Sequence, residues 1–288
     1  MDRKSLLVSL AGAGAMVLGA VLEKSAQADD LVALPANAGR LGVAAIDLHN
    51  GRVIQRDGAG RYPLASTFKL PLVMDVLARV DRGTERLDRI VRFVASEVLA
   101  NSPTVAKQPH GGSLTVGELC AAAIEQSDNT AANLLLRRVG GPAGVTAYLR
   151  GLGDTATRLD RNEPALNEAI PGDPRDTTTP LAVATLLQRL VRDPILSPVS
   201  KNILFDWLRR TKTGTARIRA GVPPHWIVGD KTGTTNSGGN DVAILLPPHG
   251  SPIVIAVYFA DVHLTDTARD ATIAAAAHTV VRRFRDRP

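Results

Sequence analysis

Apolar and polar positions change rhythm along this chain. Arg40 to Leu48 alternates as a half-buried strand does, and His49-Asn50-Gly51 has the residues of a hairpin turn into Arg52 to Gln55. From Ser66 onward the spacing is helical. It predicts helices over Ser66 to Val80, Thr115 to Gln126, Asn129 to Val139 and Pro142 to Leu152. Residues 158–176 interrupt this rhythm. They are polar, rich in Pro, Asp, Asn and Arg, and lie between helices, the composition of an ordered surface loop. Thr177-Thr-Thr-Pro180 then offers a capping threonine and an early proline for a further helix. After Ser197 to Arg209 the pattern returns to strands: Trp226 to Lys231, Asp241 to Leu246 and Ile253 to Ala260 are rich in Val and Ile. An alanine-rich helix closes the pattern from about Thr265 to Phe284.

Strands at both ends and helices between them predict an α/β fold of the α+β type. One antiparallel sheet would be flanked by terminal helices, with an all-helical domain inserted. The expected division is 29–60 plus 214–288 for the sheet domain and 61–213 for the helical one. A cleft between such units is a favoured place for a small-molecule site. The composition allows this, since 44% of the 288 residues are hydrophobic. With aromatics at only 3%, Leu, Val, Ile and Ala must carry the packing. There is no internal repeat.

The first residues read differently. Arg3 and Lys4 precede an apolar stretch from Leu6 to Leu22, short for a membrane span, and Ala26-Gln27-Ala28 follows as a small-residue cleavage site. Residues 1–28 are therefore expected to be a signal peptide, the mature chain to begin at Asp29, and the protein to be periplasmic or secreted. No membrane association is expected after cleavage. The net charge of +6 drops by one on cleavage, and the chain stays basic. Its arginines are scattered and stacking aromatics are few, which argues against nucleic acid. Arg282, Arg283, Arg285 and Arg287 read as a solvated helix end. The single cysteine, Cys120, lies in an apolar helical stretch and excludes an intrachain disulfide. Six histidines, at 49, 110, 225, 249, 263 and 278, show no close metal-ligand spacing, so no metal or other cofactor is expected.

Candidate chemistry begins at Ser66-Thr-Phe-Lys69, where a serine has a lysine three positions on. On a helix these share a face, so the amine can reach the hydroxyl, and a helix start favours a developing oxyanion. Ser127-Asp128-Asn129 follows a helix end, and those residue types also serve as caps. Lys-Thr-Gly occurs twice. Lys212-Thr-Gly214 follows a helix end and reads as a coincidental loop, whereas Lys231-Thr232-Gly233, followed by Thr234-Thr235, lies on a predicted strand. A strand edge can present a lysine, a hydroxyl and a backbone N–H along one wall of a cleft, so function is assigned to the second copy.

Ser-x-x-Lys, Ser-Asp-Asn and Lys-Thr-Gly, in this order, resemble the motif set of class A β-lactamases and penicillin-binding proteins. Arg158-Leu-Asp-Arg-Asn-Glu163-Pro-Ala-Leu-Asn167 resembles the Glu-x-x-Leu-Asn loop of class A, and the likeness runs from about Arg40 to the C-terminus. It implies hydrolysis of penicillins, and of cephalosporins, through an acyl-enzyme, with the β-lactam as the only partner and a monomeric protein. Ser66 would be the nucleophile, with Ser66 and Thr234 N–H groups as the oxyanion hole. Lys69 would activate Ser66 and Ser127 would relay a proton to the leaving nitrogen. Glu163, steered with Asn167, would activate the deacylating water. Either Lys69 or Glu163 could take the first proton. The resemblance further implies that Lys231, Thr232, Gly233 and Thr234 form the carboxylate-binding wall, that Asn129 holds the acyl-amide oxygen, and that Arg217 is a second cation near the carboxylate. Arg161 and Asp176 would pin the Glu163 loop. Relatives also suggest a cis Glu163–Pro164 bond, although an X-Pro bond by itself favours trans.

Some positions depart from the family pattern. Pro35 falls where relatives carry a first helix, so that helix is expected to be short or late. The turn between Gly233 and Asn240 is compact. Ala65 and Thr235 replace cysteines found in some carbapenem-hydrolysing relatives. Two rivals share the three motifs. A D-Ala-D-Ala peptidase would lack the Glu163 loop, and a β-lactam sensor would be joined to a transmembrane region. A zinc β-lactamase lacks its ligands here, and a lipase-like hydrolase lacks Gly-x-Ser-x-Gly.

Overall fold

The computed structural model describes residues 25–27, 31–35 and 38–286. The basic and apolar parts of the expected signal peptide lie outside these residues. The strands are β1 (Ser25–Gln27), β2 (Arg40–Asp47), β3 (Val53–Arg56), β4 (Tyr62–Pro63), β5 (Ile90–Val94), β6 (Gly111–Thr115), β7 (Thr177–Thr178), β8 (Ile227–Thr235), β9 (Gly238–Leu246) and β10 (Ile253–Ala260). The helices are α1 (Lys69–Asp81), α2 (Val116–Glu125), α3 (Asn129–Val139), α4 (Gly141–Gly151), α5 (Pro180–Arg192), α6 (Pro198–Arg209), α7 (Ile218–Gly221) and α8 (Asp266–Arg285).

The main sheet has six strands in the order β1-β3-β2-β10-β9-β8. All its pairings are antiparallel except β1 with β3. The signal cleavage expected after Ala28 would remove β1. Residues 31–35 form no helix, and β2 is the first long element described.

Period-two alternation sends each strand's side chains to two cores. Leu41, Val43, Ala45, Ile255, Val257 and Phe259 pack with Ile273, Ala277, Val280 and Phe284 of α8. Ala44, Ile46, Val254, Ala256 and Tyr258 join a larger core with Phe68, Leu72, Leu135 and Leu187 from the helices. This second core is continuous from sheet to helices, with α5 packed on β2 and β10. The helical segment 61–213 thus covers one face of the sheet as well as building its own wall of the cleft.

Helix ends follow local chemistry. Thr115 and Glu118 form a reciprocal capping box on α2, and Thr179, Ser197 and Thr265 cap α5, α6 and α8. Two small two-stranded antiparallel sheets, β4 with β7 and β5 with β6, are not expected from the sequence. Cys120, in its apolar helical stretch, is fully buried, and burial raises its thiol pKa.

Candidate active site

The nucleophile candidate sits on a 3₁₀ turn, Ala65–Phe68, immediately before α1. The helix expected from Ser66 to Val80 is therefore divided. Side chains three apart eclipse in a 3₁₀ turn, which aligns Ser66 with Lys69. Lys69 Nζ lies 2.7 Å from Ser66 Oγ. Ala65 is held at φ 44°, a left-handed conformation uncommon for a residue with a Cβ. The turn is anchored from two sides. Leu64 N–H donates to Asp176 O at 2.8 Å, and Asn240 Nδ2 donates to Pro63 O at 2.8 Å.

Lys69 is fully buried and has four polar neighbours. Its Nζ donates to Ser127 O at 2.8 Å and to Asn129 Oδ1 at 2.7 Å. It also forms a fully buried ion pair with Glu163 Oε1 at 2.9 Å. Burial lowers the Lys69 pKa, and the Glu163 charge opposes that shift. Ser127 occupies another left-handed position, φ 58°. Asp128 caps α3 through the Ala131 N–H and also accepts from the Thr104 and Val105 N–H groups, so the cap is part of the site's frame.

Glu163 is held from both ends. Asn167 Nδ2 donates to its Oε2 at 2.5 Å. Asn133, which sequence reasoning did not select, accepts from the Glu163 N–H at 3.0 Å and donates to its carbonyl at 2.8 Å. Asn133 lies four residues after Asn129 on α3, so its helical spacing from Ser-Asp-Asn was the available signal. The Glu163–Pro164 bond is cis. Arg161 Nε pairs with Asp176 Oδ2 at 2.5 Å, and the Asp176 Oδ1 accepts the Asp160 and Arg161 N–H groups. The two ends of the loop are thereby joined.

β8 forms the opposite wall. Gly233 faces the Ser66 turn so closely that an added Cβ would lie 3.2 Å from Ser66 N, which explains a glycine there. Lys231 is fully buried, and its Nζ donates to Ser127 Oγ at 3.1 Å and to Thr232 O at 2.7 Å. Burial, reinforced by the nearby Lys69 charge, lowers its pKa to about 7. Arg217 is not a surface arginine, being only 4% exposed. It pairs with Asp270 at 2.9 Å, donates to the Gly233 and Asn240 carbonyls at 2.8 Å, and reaches Thr234 Oγ1 at 2.9 Å. β8 and β9 are joined through Asn236-Ser237 alone, so the turn is as compact as expected.

Every sequence-selected residue thus lies on one of the two walls or on the loop beneath them. The match of the Beta-lactamase enzyme family model runs over residues 24–284. The chain belongs to the β-lactamase family, in its class A branch. The carbapenem-hydrolyzing β-lactamase KPC of Klebsiella oxytoca is 46% identical over 83% of this chain and 82% of that protein. A β-lactamase of Amycolatopsis lactamdurans is 45% identical over 84% of this chain and 80% of its own length. The structure of the ancestral GNCA class A β-lactamase superposes with a TM-score of 0.84 at 48% identity, covering 93% of this chain and 99% of that one. This β-lactamase is accordingly a hydrolase of β-lactam amide bonds.

The loop that carries the first Lys-Thr-Gly adjoins the second copy, Thr213 Oγ1 lying 2.5 Å from Thr232 Oγ1. Among the described residues no group of three or more His, Cys, Asp or Glu is placed to hold a metal, and no helix is long and apolar enough to cross a membrane.

Proposed function

We propose that this β-lactamase hydrolyses penicillins and cephalosporins through a Ser66 acyl-enzyme that a Glu163-activated water releases, and that it confers β-lactam resistance. The observation that carries this reading is a buried Glu163 carboxylate joined to the nucleophile through Lys69. Its Oε2 accepts from Asn167 Nδ2, and its Oε1 pairs with Lys69 Nζ, which in turn lies 2.7 Å from Ser66 Oγ. A buried carboxylate fixed this close to the nucleophile can accept a proton from water held against the ester.

The proton inventory around Lys69 supports it as the group that takes the first proton. The Ser127 carbonyl and Asn129 amide oxygen can only accept, so two N–H bonds of a neutral amine are committed to them. When the third proton of the ammonium passes to Glu163 Oε1, 2.9 Å away, the lone pair left behind faces Ser66 Oγ, whose O–H then donates to it. Lys69 takes that proton as Ser66 attacks the lactam carbonyl. The carbonyl oxygen is held by the Ser66 and Thr234 N–H groups, where charge develops. Ser127, reached by both lysines, passes its proton to the departing nitrogen and takes from Lys69 the proton that came from Ser66. Lys231, Thr232 and Thr234, with Gly233 keeping the wall close, receive the substrate carboxylate, and Arg217 supplies a second cation through Thr234. Asn129 donates through Nδ2 to the acyl-amide oxygen. The walls correspond to a sheet domain, 29–60 with 214–288, and a helical domain, 61–213. The chain acts as an exported monomer after loss of residues 1–28.

A penicillin-binding peptidase would acylate the same serine and keep the adduct. Replacing Glu163 by Gln preserves shape and removes the base, and general-base assistance contributes about 10²–10⁴-fold. The E163Q protein should accumulate a penicilloyl adduct seen by intact mass, whereas the wild type turns over many times with little adduct. A wild-type adduct stable for minutes, with almost no hydrolysis, would establish the peptidase reading instead. The carbapenem activity named for the KPC relative makes a carbapenem a necessary arm of the substrate panel, beside a penicillin, early and late cephalosporins and a monobactam.

A further inference from the structure

We propose that Thr213 is a positioning residue for the substrate carboxylate: its hydroxyl donates to Thr232 Oγ1 and so turns the Thr232 proton toward the anion. The inference rests on the carboxylate-binding role proposed for Thr232. Two hydroxyl oxygens 2.5 Å apart share one hydrogen, so one of them must be the donor. If Thr232 donates, its proton is spent on Thr213. If Thr213 donates, the Thr232 proton is free to bind a carboxylate, and accepting one hydrogen bond strengthens the one it donates. An arriving anion selects the second arrangement.

Thr213 is held in place rather than resting there. On its N-terminal side, Thr211 Oγ1 donates to Asp230 O at 2.7 Å, tying the segment to β8. Lys212 N–H donates to Glu125 O at 2.9 Å, tying it to the end of α2 just before Ser127. On the other side Arg217 N–H donates to Gly214 O at 3.1 Å, and a Cβ on Gly214 would run into the Asp230 carboxylate. The segment therefore straps the helical wall to the strand wall. Thr232 is 4% exposed while Thr213 is exposed, so the pair has its inner member under the strap and its outer member at the cleft rim.

The test compares wild type, Thr213→Val and Thr213→Ser in stopped-flow acylation by a penicillin and by its methyl ester. Thermal unfolding confirms that the exposed substitution leaves the fold intact. Valine keeps the shape and removes the hydroxyl. It should weaken the first complex with the penicillin by about three- to ten-fold, the range of one neutral hydrogen bond, while the acylation rate constant stays within about two-fold. Serine should restore wild-type binding, and the ester should not distinguish the three proteins. Unchanged penicillin binding by Thr213→Val, failure of serine to restore it, or an equal loss on the ester overturns the inference. A wild type that opens no β-lactam overturns the underlying function, a separate outcome.

Discussion

Two fully buried lysines face each other across the cleft, and their surroundings differ. Lys69, on the helical wall, stands 2.9 Å from a carboxylate and between two obligate acceptors. Lys231, on the strand wall, has no carboxylate within ion-pair distance among the described residues, and burial next to Lys69 lowers its pKa to about 7. The first environment is balanced and moves a proton without gaining or losing net charge. The second has a cation in excess and is improved by an incoming anion. A charge buried without its counterpart is costly, and a binding site can keep that cost until the ligand removes it. The helical wall is therefore organised for proton transfer and the strand wall for recognition.

Removing the helical wall's nucleophile tests this division most severely. Ser66→Ala should fold and still bind a penicillin on the strand wall, yet form no covalent adduct by intact mass. An adduct in that variant would show that another hydroxyl carries the chemistry.

Arg217→Ala should act on the strand wall instead. Its bond to Thr234 is charge-assisted, and such bonds contribute about 1.5–3 kcal/mol, roughly ten- to a hundred-fold in kcat/KM. Unchanged kcat/KM across several β-lactams would reduce Arg217 to a structural link between Asp270 and the Gly233 carbonyl.

The pH profile distinguishes the two lysines directly. Lys231 loses its charge as pH rises through about 7, so kcat/KM should fall on the alkaline side, at most about tenfold per pH unit. A bound carboxylate favours the charged form and raises that pKa, so the descending limb of kcat should lie at higher pH. Lys231→Arg stays charged and should move the kcat/KM limb upward. A kcat/KM flat to pH 9 would place the recognition charge elsewhere.

The smallest effect expected is none. Both walls are complete in protein groups, so exhaustive dialysis against EDTA should leave hydrolysis unchanged, and activity that zinc restored would overturn the serine mechanism.

Much of this was legible in the sequence because local rules and global packing agree. β10 runs from Ile253 to Ala260 and α3 from Asn129 to Val139, both as their apolar spacing predicts. β5 was missed for a physical reason. Val91 and Phe93 are buried while Ile90 and Val94 are 64% and 59% exposed, so apolar residues at both exposed ends conceal a period of two. Its partner β6 begins Gly111-Gly112-Ser113, which has no strand propensity and is paired by tertiary context. The site motifs were visible because each is local. Asn133, which grips Glu163 across 30 residues, and Thr213, which meets Thr232 across 19, depend on how the walls are joined. The first Lys-Thr-Gly was set aside because a tripeptide in a loop carries no information about which strand it will touch.

Cys120 gives this scaffold a practical use. The chain's only thiol is fully buried in α2, and burial keeps it in the unreactive protonated form. Glu168, exposed on the Glu163 loop, could be exchanged for cysteine and labelled with a maleimide dye in the otherwise native protein. The dye would sit five residues from Glu163, on the loop beneath the acyl ester. Its emission could then report arrival and departure of an antibiotic in real time, turning the enzyme into a reagentless optical sensor.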